Sequence, residues 1–127
     1  MKRSLRVTAF LGGLAGLAAV IVAALPATTT PVQVGENDIG GVVTGAKGPE
    51  AGVWVIAETS ELPTKFVRIV VTDDQGRYLI PDLPKANYNV WVRGYGLVDS
   101  PKSKSDGGKT LNLTAVAAPN PRAAAAY

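Results

Sequence analysis

Between residues 38 and 117 the apolar side chains come in short runs, each interrupted within a few positions by Gly, Pro or Asp. This punctuation constrains the fold more than any other feature. No internal window keeps an i, i+3, i+4 apolar stripe long enough for a helix. The runs at 39–44, 53–58, 66–72, 77–80, 88–93 and 110–116 are instead rich in β-branched and aromatic residues and read as strands. Short strands with turn signals this closely spaced predict an all-β fold. The expectation is a small antiparallel β-sandwich of about seven strands with Greek-key-like connections.

The stretch "TDDQGRYLIPDLP" (72–84) contains the only adjacent carboxylates, Asp73 and Asp74, which could form a calcium loop or a turn. A calcium loop needs alternating oxygen ligands with a distant Glu, and that pattern is absent. "FVRIVVT" before and "RYLI" after make residues 73–76 read as a β-hairpin turn, with Gly76 at a position of positive φ. "PDLP" then ends the strand, because proline donates nothing to a ladder.

Strand alternation separates an inner from an outer face. It assigns the core to Val43, Val53, Val55, Val67, Ile69, Val71, Tyr78, Ile80, Leu83, Tyr88, Val90, Val92, Leu111 and Leu113. In "GVWVIAE" and "YNVWVR" the opposite face carries Trp54 and Ile56, and Asn89, Trp91 and Arg93. These five form the candidate ligand or docking surface. Three readings stay open: local coverage by loops, contact with a protein domain, or a carbohydrate platform.

The chain has no Cys and no His, which excludes disulfides, thiolate and imidazole metal sites, and Ser-His-Asp chemistry. Acidic residues are scattered over turns and strand ends, not paired as acid–base catalysis requires. Ser60, Ser100, Ser103 and Ser105 read as solvated loop residues. Lys65, Lys109 and Asn112 have the residue types of a Lys–Asn crosslink but read as ordinary exposed side chains. No catalytic residue, metal or cofactor is expected.

Residues 1–27 read as a targeting segment with a helical signal: a basic "MKRSLR", an apolar run over 7–25, then Pro26 and Ala27. The segment is either cleaved after Ala24 or Ala27 or kept as a membrane anchor over 7–25. In both cases the rest is exported to a periplasmic or extracellular space. Of 13 positive residues three lie in this segment, leaving 10 against 10 acidic ones, so nucleic-acid binding is not expected. Residues 28–37 read as an extended leader and 118–127 as a Pro/Ala-rich tail or linker with no reason to pack.

Across 38–117 the order of motifs resembles the carboxypeptidase regulatory-like domain, a transthyretin-like (prealbumin-like) sandwich in the starch-binding-like fold group. The resemblance is carried by Gly41, Val43, Gly48, Pro49, Gly52, Val55, Thr72, Asp73, Gly76, Tyr78, Leu83, Pro84, Tyr88, Val90, Gly94 and Tyr95. Ala86 departs from it, standing where a Gly is usual, which predicts another turn type at that corner. The resemblance implies a non-catalytic accessory module beside a larger secreted protein. Its partner would be another protein domain, or alternatively a polysaccharide stacked on the tryptophans. The chain would then be a stand-alone module or the N-terminal part of something longer.

Overall fold

A computed structural model describes residues 30–124, together with Gly12 and Gly16. The signal helix expected within 1–27 lies outside the described stretch. In chain order the strands are β1 (Ile39–Gly45), β2 (Gly48–Pro49), β3 (Trp54–Thr59), β4 (Phe66–Val71), β5 (Arg77–Ile80) and β6 (Tyr88–Arg93). After these come β7 (Leu97–Val98), β8 (Ser103–Ser105), β9 (Lys109–Thr110), β10 (Leu113–Thr114) and β11 (Val116–Ala117), then one helical turn, α1 (Pro121–Ala124). The fold is all-β.

Two sheets enclose the core. In the first, β1 runs antiparallel to β5 and β2, and parallel to β9 and β10 on its opposite edge. The second has the order β4-β3-β6-β8, every pair antiparallel. A short β7–β11 ladder closes one end. The expected strand 110–116 is therefore broken into pieces, which serve the first sheet and then the β7 ladder.

The core follows from alternation. Ile39, Val43, Tyr78 and Ile80 of the first sheet face Val55, Ala57, Tyr88, Val90 and Val92 of the second, all buried. Leu83, Leu97, Leu113 and Ala115 pack against the same cluster. Phe66 meets the Tyr88 ring edge-on, with centroids 6.1 Å apart. The Tyr78 hydroxyl donates to the Leu111 carbonyl and the Tyr88 hydroxyl to that of Pro84, which satisfies both phenols. Leu111 itself is only partly buried.

One strand reverses its expected face. Val67, Ile69 and Val71 are 46%, 51% and 57% exposed, while Phe66 and Val70 turn toward the core. The register explains this: Ile69 lies opposite Ile56 and Val71 opposite Trp54, and directly opposed residues share a face. Arg68 thereby points inward. It stays satisfied by donating to the Pro81 carbonyl at 2.9 Å and stacking 5.4 Å from the Phe66 ring centroid.

Residues 73–76 do form a tight turn, but not a hairpin. β4 pairs only with β3 and β5 only with β1, so this turn carries the chain from one sheet to the other. Asp73 organises it by accepting the backbone N–H groups of Gln75 and Arg77, each at 2.9 Å. Gly76 has φ +74° and accepts the Val43 N–H at 2.8 Å; a Cβ there would lie 2.6 Å from the Val43 carbonyl oxygen. At the later corner Asp82, not residue 86, takes positive φ, at 52°. Its N–H is held by Asp38.

The flanking segments pack. Arg77 donates to the Thr30 carbonyl, and Val34 lies over Gly40. At the other end the Ala118 N–H binds the Gly96 carbonyl, and Asn120 caps α1 through the Ala123 N–H. Residues 118–124 thus return to the Tyr95–Gly96 turn, with no residue of α1 buried.

Candidate functional site

The outer face of the second sheet is built from three neighbouring rows. Trp54 lies between Val71 and Arg93, Ile56 between Ile69 and Trp91, and Glu58 between Val67 and Asn89. The five residues singled out in the sequence, Trp54, Ile56, Asn89, Trp91 and Arg93, therefore share this face. Their accessibility differs sharply.

Trp54 is 48% exposed, whereas Ile56 and Trp91 are buried at 3% and 6%. Trp91 points away from the core, as alternation requires, yet it is not an open ring. The Lys102 ammonium sits 4.4 Å from its centroid and donates to Glu58 at 2.8 Å, roofing the indole with a fixed cation. The indole Nε1 is buried with no hydrogen-bond partner. Lys65 approaches the other Glu58 oxygen at 3.8 Å. Arg93 forms a two-pronged pair with Asp99, at 2.8 and 2.7 Å, which holds the Asp99 carboxyl below its usual range.

The part of this face over β6, together with Ile56 and Glu58 of β3, is thus covered, and the part formed by β4 and the start of β3 is apolar and open. The open part consists of Trp54, Val67, Ile69 and Val71. The last three escaped the sequence reading because "FVRIVV" is apolar at both parities, and its one charge, Arg68, marked the wrong face as outward. The available signal was the exposed pairing partner: once Trp54 is outward, any strand beside it places its opposed residues outward too.

Elsewhere the structure separates the remaining candidates. Both Asp73 oxygens are engaged by its own turn, the second by the Arg77 Nε at 2.7 Å. Among the described residues no three acidic side chains gather into a possible cation site. Lys65 ends on Glu58 and Lys109 on Asp106, while the Asn112 side chain accepts the Val42 N–H, so the crosslink residues are not brought together. Ser100 is no solvated loop residue: it is buried, and its hydroxyl accepts the Val92 N–H at 2.8 Å. An open hollow of about 380 Å³ at the Leu83–Asn87 corner holds Glu36 and Asp106 at its rim, the latter already paired with Lys109.

The geometry therefore offers a contact surface, four large apolar side chains side by side at one sheet edge. No protein-family model and no curated protein matches the chain.

Proposed function

We propose that this chain is an exported, non-catalytic accessory module of the carboxypeptidase regulatory-like kind that binds protein through the outer face of β3 and β4. The observation that carries this reading is the contiguous open patch of Trp54, Val67, Ile69 and Val71. Fully burying one such side chain is worth about 1.5–3 kcal/mol, so covering four that are half-exposed supplies a few kcal/mol. Contiguous patches of this sort mark contact sites in small domains.

The carbohydrate reading is weaker. Sugar rings stack on planar aromatics, and Lys102 already occupies the face of Trp91. That leaves Trp54 alone, among aliphatic neighbours.

Three measurements test the proposal. A photoreactive residue at position 71, activated in the exporting cell, should form an adduct with a protein, and Trp54→Ala should abolish it. A shift of tryptophan emission with polysaccharides, without a protein adduct, would favour the carbohydrate alternative. For export, N-terminal sequencing of the recovered protein should begin just after Ala24 or Ala27, or at Met1 in a membrane fraction. Met1 in a soluble cytoplasmic fraction would refute it.

A further inference from the structure

The two edges of the second sheet are finished differently. β8 spans only three residues, carries Lys104, and follows Pro101 and Lys102, all features that discourage a further strand. β4 is six residues long and contains no Pro or Lys; its one charge, Arg68, is of the inward kind that can blunt an edge, but it is already satisfied within the chain by the Pro81 carbonyl and the Phe66 ring. Its outer edge is terminal in the sheet order. Backbone direction makes this edge usable. The Thr72 N–H points to the Val53 carbonyl of the β3 side, and alternation along the strand sends Arg68 and Val70 the same way. The N–H and C=O groups of Val67, Ile69 and Val71 therefore face the open edge.

We propose that the occupant of this edge is a second copy of the chain, its β4 antiparallel to the first, with Ile69 opposite Ile69 on a two-fold axis. The proposal rests on reading this face as a contact surface and names its partner. Three features select this register. It sets Val67 against Val71 of the other copy, so the outward backbone groups pair along the whole strand and the two apolar patches merge. It places Arg68 opposite Val70, whereas a one-residue shift of the axis would oppose Arg68 to itself at close range. Extended past the strand, it brings Lys65, whose side chain is 72% exposed, opposite Asp73 of the other copy, once at each end. Two four-stranded sheets thereby become one continuous sheet.

The chain has no Cys, so an introduced thiol reports on this arrangement alone. In a hydrogen-bonded antiparallel pair opposed Cα atoms lie about 5.5 Å apart, within disulfide reach. Full-length exported Ile69→Cys, treated with copper phenanthroline as oxidant, should form a disulfide-linked dimer. Val67→Cys should form at least about tenfold less, since its two copies would lie roughly 14 Å apart. Adding Val71→Cys to Val67→Cys should restore the crosslink. All three positions are about half-exposed, so none of these changes disturbs the core. No dimer at Ile69→Cys, or equal yields at positions 69 and 67, overturns the proposal. A protein adduct from position 71 to a different chain, with no Ile69→Cys dimer, would reject the second copy while leaving the contact face intact.

Discussion

At the scale of single residues, Gly76 shows how a backbone requirement fixes a side chain. Its positive φ costs an L-residue about 1 kcal/mol, and a Cβ would also press on the Val43 carbonyl, which takes part in holding β1 to β2. Gly76→Ala should therefore destabilise the domain by about 2–3 kcal/mol, read as a lower denaturant midpoint; a change below about 0.5 kcal/mol would mean that the corner relaxes freely. Ser100 is a second such point, less visible in the sequence. Its hydroxyl is the acceptor for a buried N–H of β6, so Ser100→Ala should cost about 1–3 kcal/mol, whereas a solvated loop serine would cost nothing measurable.

At the scale of elements, β4 tests whether the second sheet is read correctly. Measured at concentrations low enough to keep the chain monomeric, Ile69→Lys should leave stability within about 0.5 kcal/mol of the parent, because the side chain is half in solvent; unfolding of the monomer by this change would return Ile69 to the core. The strands that formed as anticipated, β1, β3, β5 and β6, each have apolar residues concentrated at one parity or a turn signal at each end, so period and punctuation agreed. β4 did not offer that agreement, and only its register with β3 assigns its faces. β7 and β8 were not legible at all. "LV" is too short and "SKS" too polar to signal a strand, and they exist because β11 and β6 present partners for them. The tryptophan face was half legible: alternation correctly turned Trp54 and Trp91 outward, but a cation arriving from residue 102 is a tertiary event that no local pattern records.

At the scale of the whole molecule, charge and burial set a pH window. The carboxyls of Glu61, Asp73, Asp99 and Asp106 are held below their usual range, chiefly by hydrogen bonds from the Asn87 and Arg77 backbones and the Arg93 and Lys109 side chains, respectively. Each stabilises the fold while ionised. That contribution is complete above the unfolded values near about pH 4 and is lost as pH falls through the lower folded ones. Burial pushes the Tyr78 and Tyr88 phenols up, so above about pH 10 the unfolded chain ionises while the fold resists, and stability falls again. Denaturant midpoints should be flat between about pH 5 and 9 and drop on both sides, and Tyr78→Phe should soften the alkaline drop. A midpoint still rising through pH 10 would contradict the buried phenols.

The parallel bridges from β1 to β9 and β10 have a consequence in time. Val43 is paired with Leu113, and the Gly40 carbonyl receives its N–H from Leu111, so the first strand is finished by nearly the last residues of the domain. A chain emerging N-terminus first, from a ribosome or a translocation pore, holds β1 with one edge vacant until those residues arrive. Closing so long a loop is slow, and in the interval that edge can recruit the wrong strand. Nascent chains stalled with residues up to Gly108 outside the pore should remain protease-sensitive, and chains released past Ala117 should become resistant in a single step. Resistance before Leu111 emerges would show that the sandwich can close without its last strands. Otherwise, whatever guards this protein in its first seconds must stay bound until almost the entire domain has been delivered.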